Sequence, residues 1–400
     1  MKGRRWFWLA LVGFLLSRVY ILRFPPPLYS DVFHDYRRYA AMWQDGLTPY
    51  LKHFYEYPPA TIPILYLPEI LNRAGIGHYY ENYRAQTFAF DLIIFLFILK
   101  TLNKLKTPAL SKKLALAFYL VAPMVAKDFF YDGIDWAFIG SLTIALVSWP
   151  RRLFFWIFFW LSTAIKFMTA PLALPFFFLA KRPWFKELKA AALGFLIVWG
   201  LPLAIFRTSL SVMFVFHAQR GLKYASFPSF IVETINYFTQ TETRFNQAPD
   251  FQLIGPVSTV AESIVGLVFP LSIAAVLAYG LWVILKKKPQ AEVFALKLSL
   301  IYILTIFLTG KVFSQPFHLW LIPLIILFPF GSVKKQLVFM LLSLWLLVID
   351  TTPWIKLDEQ KILFDPIPLK FVAYSLRFIP MFILLYLSFK LPNKLAPAKK

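Results

Sequence analysis

Apolar runs of roughly membrane-spanning length alternate with short polar interruptions along almost the whole chain. They fall at 6–24, 85–102, 114–130, 134–149, 190–206, 257–285, 293–309, 319–330, 336–349 and 369–389. The run at 153–180 is interrupted by Lys166, Pro171 and Pro175. Two short, broken helices are predicted there, because broken backbone at membrane depth is tolerated where protein lines a cavity. A helical span takes about 20 apolar residues, so the pattern predicts an all-α, polytopic membrane protein with about twelve transmembrane helices. The stretch YPPATIPILYLPEIL (57–71) is apolar but carries four prolines and Glu69. An interfacial helix is predicted there in place of a span. No internal repeat or low-complexity tract is visible, and 1–400 reads as one integral-membrane domain.

Composition strengthens this picture. Hydrophobic residues make up 59% of the chain and charged ones only 16%, far from the roughly 25% charged of a soluble domain. The net charge of +22 could suggest nucleic acid, but its distribution argues against that. Seven short blocks between apolar runs hold 22 of the 42 basic residues: Lys2 to Arg5, Lys104 to Lys113, Arg151/Arg152, Lys181 to Lys189, Lys286 to Lys288, Lys334/Lys335 and Lys390 to Lys400. Placing every block in the cytoplasm gives a consistent multi-pass topology in the plasma membrane, with both termini inside. The N-terminus imitates a signal peptide, but no small-residue cleavage site follows and Arg18 and Arg23 interrupt the run. A retained first helix is expected. Three long segments, 25–84, 207–256 and 350–368, then fall on the outer (periplasmic) face and hold most of the polar chemistry. With no cysteine, disulfides, thiolate nucleophiles and Cys-ligated metals are excluded.

In the first outer segment Asp31 and Asp35 are four apart, so on a helix they share a face with Tyr39. A carboxylate beside aromatic residues at a membrane surface can act as a general base. The same residues also fit a solvated helix start, where the dipole favours acids. Basic candidates are His217, Arg220 and Lys223 near the start of the second outer segment, and Lys311 and His318 at the outer end of a later run. Each also fits headgroup contact or snorkelling.

The order of these residues resembles the GT-C superfamily of membrane glycosyltransferases, closest to polyprenyl-phosphate-mannose-dependent mannosyltransferases. The resemblance rests on Asp31 with Gly46, Pro49-Tyr50 and Glu56-Tyr57-Pro58-Pro59, then on FHAQRGLKYASFPSF (216–230), then on KVFSQPFHLWLIP (311–323). In the last segment Gln315-Pro316 stands where the family order is Pro-Gln. The resemblance implies an inverting transferase moving a sugar, mannose by analogy, from a polyprenyl-phosphate donor to a lipid-linked or glycan hydroxyl acceptor. Asp31 becomes the base and Asp35 its support. Arg220, Lys311, His318 and His217 become the donor-phosphate ligands. Glu56, Tyr57, Ser226 and Gln315 become substrate contacts. The partners implied are donor, acceptor and membrane lipids, with no nucleic acid. No metal or other cofactor is required on charge grounds, although a divalent metal stays open.

Other charges admit several readings. Asp128, Asp132 and Asp135 cluster in a tight hairpin with Lys127 and either line the site or cap helices, capping being the expectation for Asp132, beside Gly133. Lys166 lies deep in an apolar stretch, where a charge is paired or functional, and Asp91 on the returning helix is one partner the sequence offers. Asp31, Asp35, His34 and His53 could be metal ligands, but no spacing sets a first shell. The alternative to an enzyme is a lipid or sugar transporter or flippase, which broken helices and a deep lysine would suit.

Overall fold

In hydrocarbon every backbone N–H and C=O must bond within the chain, so uninterrupted apolar runs become helices. The computed structural model of the protein describes residues 4–25, 30–105, 107–241, 244–246, 252–351 and 367–394. Among these, six helical stretches are long and apolar enough to cross a membrane: Arg5–Leu22, Tyr79–Lys104, Trp184–Gln219, Pro256–Lys287, Ala291–Thr309 and Phe371–Phe389. The protein is thus an all-α integral membrane protein, with one two-stranded hairpin, β1 (Arg244–Asn246) and β2 (Gln252–Ile254). Several other expected spans form shorter helices. Most of the third outer segment, 350–368, lies outside the described residues, as do Lys2, Lys106, Lys399 and Lys400 of the basic blocks.

The chain divides into two compact units, Met1–Gln219 and Arg220–Lys400. In the first unit, α1 (Arg4–Leu22) leads to a π-helical turn (Val32–Tyr36) and α2 (Arg37–Gln44). Then come α3 (Thr61–Arg73), α4 (Tyr79–Lys104), α5 (Ala109–Val125), α6 (Asp135–Val147) and α7 (Arg152–Ile165). A 3-10 turn (Phe167–Leu172), α8 (Ala173–Leu179), α9 (Trp184–Phe206) and α10 (Ser211–Gln219) complete it. At 13 residues α3 is too short to span, as the proline-rich pattern indicates. The break at Lys166 is present, with extended backbone between α7 and the 3-10 turn. Helix α4 begins six residues before the apolar run, at a polar start where the His78 N–H donates to Glu81 Oε2 at 3.1 Å. Hydropathy marks only the apolar part of that helix; the cap sets its true start.

One buried carboxylate fastens four elements of this unit. Asp91 on α4 accepts from Arg18 Nε on α1 (2.7 Å), the Tyr119 hydroxyl on α5 (2.6 Å), the Tyr131 hydroxyl (2.7 Å) and Trp136 Nε1 on α6 (2.9 Å). Asp91 is therefore the partner of Arg18, not of Lys166. At Gly140 a Cβ would meet Ile94 Cδ1 at 2.2 Å, so a glycine is what lets α6 lie against α4.

In the second unit α11 (Phe227–Phe238) precedes the hairpin, followed by α12 (Pro256–Lys287), α13 (Ala291–Thr309) and a 3-10 turn (Gln315–Trp320). Helices α14 (Leu321–Leu327), α15 (Val333–Thr351) and α16 (Ile367–Phe389) follow. Helix α13 is the buried centre, against α12, α14 and α16. Its Lys297 ammonium donates to the carbonyls of Phe389 and Leu391 and to Asn393 Oδ1, at 3.0, 2.7 and 2.9 Å. That contact ties the end of α16 to α13.

Candidate functional site

The first outer segment folds into a wall of aromatic rings with carboxylates set against it. Asp31 opens the π-helical turn and is exposed. Its charge acts on Tyr36, Tyr57 and Tyr83. Asp35 instead pairs with Arg38 at 3.1 Å, and it shares the Tyr39 phenol with Glu56. Asp31 precedes and Asp35 lies within a π turn inside the helical segment; Asp35 and Tyr39 are neighbours as the four-residue spacing implies, while the charge of Asp31 is felt by the buried tyrosines.

The motif residues of this segment meet in a tight structure. Tyr50 adopts a left-handed φ of 63°, a costly conformation for a bulky residue that tertiary contacts must hold. Its hydroxyl donates to the carbonyl of Tyr57. Tyr55 and Thr61 share a hydroxyl contact at 2.6 Å, and Thr61 donates onward to the Pro58 carbonyl. Trp43 Nε1 meets His53 Nε2 at 2.8 Å, while His53 Nδ1 faces the Phe54 carbonyl. Both His53 nitrogens are thus engaged, and among the described residues no group of three His, Asp or Glu side chains could hold a metal ion.

Burial pushes the Tyr36 and Tyr57 phenols well above their ordinary value, with Asp31 and Glu56 adding to the effect on Tyr57. Tyr39 is pushed up to about 12, by burial and then by Glu56. These hydroxyls remain protonated at physiological pH and act as hydrogen-bond donors or acceptors. Proton abstraction falls to the carboxylates.

Two charges from helix junctions join the same wall. Lys166, at the break after α7, donates to Asp135 Oδ1 at 2.6 Å, and Asp135 acts on Tyr36 and Tyr83 as Asp31 does. Asp132 does not cap a helix. It binds Arg84 through both oxygens at 3.2 and 2.9 Å, and Arg84 also reaches the Phe24 carbonyl. Asp135 thus lines the wall, and the pairings of Lys166 and Asp132 join residues on different elements, which local spacing does not show. His217 sits exposed on α10, at the end of the first unit.

In the second unit, segments about ninety residues apart meet through their backbones: the Lys223 N–H donates to the Lys311 carbonyl at 2.9 Å. The neighbouring Gly221 N–H donates to Gln252 Oε1 at 3.2 Å, and the Leu222 carbonyl accepts from Leu253 at 2.9 Å. The ends of the Gln252 and Glu262 side chains close over Gly221, where a Cβ would lie 2.8 Å from each Oε1. Arg220, Lys223 and Lys311 are all half-buried on these paired segments.

Two of the expected contact residues lie in the interior. Ser226 is fully buried; its hydroxyl accepts from the Ser229 N–H at 3.3 Å and caps α11, with Pro228 in the first turn. Ser226 serves the helix and has no surface to offer a substrate. His318 is also fully buried, its Nδ1 against Asp350, which in turn pairs with Arg377. Arg377 lies 3.4 Å from the Ala225 carbonyl and stacks over Tyr374, whose hydroxyl donates to the Tyr224 carbonyl. His318 thus belongs to the support beneath the 220–226 loop and does not sit at the surface beside Lys311. Gln315 opens the 3-10 turn and is half-buried.

Compared with protein-family models and with curated proteins, the chain matches none.

Proposed function

We propose that the protein is an inverting membrane glycosyltransferase that moves a sugar, mannose by resemblance, from a polyprenyl-phosphate donor to a lipid-linked or glycan hydroxyl. The observation that carries this reading is an exposed Asp31 beside the protonated, buried Tyr36 and the half-buried Tyr57, with Glu56, Asp135 and Lys166 in the same wall. Asp31 takes the proton of the acceptor hydroxyl as its oxygen attacks the anomeric carbon, and the bond to the lipid phosphate breaks in the same step. The developing phosphate dianion needs cations and donors, and Arg220, Lys223 and Lys311 have that chemistry. Glu56 and Tyr57 have the chemistry of sugar-hydroxyl contacts. In this reading the protein resides in the plasma membrane, with its basic blocks cytoplasmic and Asp31 outside.

The test is mass spectrometry of lipid-linked glycans in cells carrying the wild-type protein, no protein, or Asp31→Asn. The variant keeps shape but cannot accept the proton, so product should fall by about 10²–10⁴. Normal product levels in Asp31→Asn would refute the assignment. The helix break at Lys166 also suits a transporter or flippase. That reading requires unchanged glycan composition, with altered distribution of a lipid between leaflets.

A further inference from the structure

A cavity of about 520 Å³ opens between the N-terminal ends of α7 and α9, lined by Pro150, Arg151, Arg152, Leu153, Phe154, Ile157, Arg182 and Ala190. Three arginines therefore meet in one hollow, and they are not equivalent. Arg152 is buried: its Nε and Nη2 both lie on Glu187 Oε1, at 2.9 and 2.5 Å, and Trp156 Nε1 donates to the same oxygen at 2.7 Å. The Arg152 guanidinium also lies over the Trp149 and Phe155 rings, 4.2 Å from each centroid. It is a neutralised strut joining the two helices. Arg151 and Arg182 are exposed and carry no acidic partner among the described residues. With Arg152 offset by Glu187, the hollow carries two uncompensated positive charges, and the two helix starts add their positive dipole ends.

The rest of the lining is hydrocarbon. Leu153, Phe154 and Ile157 form the α7 side, and the Ala190 side of α9 continues at helical spacing into Leu193 and Ile197, which are 42% and 54% exposed. Beyond the hollow α7 and α9 pack closely, a Cβ at Gly194 meeting the Ile157 backbone nitrogen at 3.0 Å, so Leu193 and Ile197 form an exposed apolar surface along that seam. A doubly cationic hollow bordered by exposed apolar side chains on membrane helices matches one class of ligand, an anionic headgroup carried on acyl chains. We propose that this hollow binds the headgroup phosphate of an anionic phospholipid through Arg151 and Arg182, with an acyl chain along Ile157 and Leu193. This site is separate from the Asp31 wall and does not depend on the enzymatic reading.

Native mass spectrometry of the purified full chain, offered equimolar phosphatidylglycerol and phosphatidylcholine, tests it. The wild-type protein should retain phosphatidylglycerol preferentially. Arg151→Gln/Arg182→Gln should bind it about 30-fold more weakly, from two lost basic contacts, with phosphatidylcholine binding and elution volume unchanged. Both side chains are exposed, so folding should survive. A second variant, Lys286→Gln/Lys287→Gln, removes equal charge elsewhere and should retain the preference. Equal retention of phosphatidylglycerol by the arginine variant, equal loss in the lysine variant, or displacement of the lipid by millimolar inorganic phosphate would each overturn the proposal.

Discussion

Replacing Asp91 by alanine should unfold the first unit more readily than any other single truncation within a membrane helix. The carboxylate is fully buried and accepts four hydrogen bonds at 2.6–2.9 Å, one of them from an equally buried guanidinium. Truncation leaves Arg18 charged and enclosed, with three further donors stripped of their acceptor. Neutral hydrogen bonds between membrane helices average only about 0.6 kcal/mol, so the three neutral donors contribute modestly. The stranded guanidinium dominates, at about 3–5 kcal/mol for a broken buried pair. For a unit of this size that corresponds to a fall of roughly 6–20 °C in the unfolding midpoint. The assay is thermal unfolding of detergent-purified protein followed by tryptophan fluorescence, since Trp136 itself bonds to Asp91. The double replacement Arg18→Met/Asp91→Leu removes both charges and should cost less than either Asp91→Ala or Arg18→Ala alone. A midpoint within about 2 °C of wild type for Asp91→Ala, or a double-variant loss equal to the sum of the singles, would refute this account.

Lys166→Met strands the Asp135 carboxylate and should lower the same midpoint, while adding Asp135→Asn should recover much of the loss. Ser226→Ala should cost about 1 kcal/mol as a lost helix cap and leave the KM for donor unchanged; a raised KM would restore Ser226 to the substrate. Arg220→Ala and Lys311→Ala should each weaken binding of a polyprenyl phosphate to purified protein, because charge-assisted hydrogen bonds to phosphate are lost, with acceptor affinity unaffected. Unchanged affinity in both would reduce these side chains to headgroup contacts.

What was legible in the sequence was whatever a local pattern controls. Apolar runs marked the membrane helices, because hydrocarbon tolerates no unbonded backbone. Proline spacing marked α3 as short, and Lys166 with Pro171 marked the broken stretch. The partners of buried charges were not legible. Arg18 and Asp91 are 73 residues apart, Arg84 and Asp132 48, Lys166 and Asp135 31, and helix packing alone decides such pairings. The π turn from Val32 to Tyr36 was not legible either, since the spacing of Asp31 and Asp35 is compatible with it and with a regular helix. Tertiary structure likewise placed Ser226 and His318 in the interior, one capping α11 and the other against Asp350, since sequence shows that a residue is polar but not which side of the protein it faces. Residue types and their order determined which chemistry the chain could hold. Only the packing of helices decided which charges are spent on one another and which, like Asp31, Arg151 and Arg182, stay exposed.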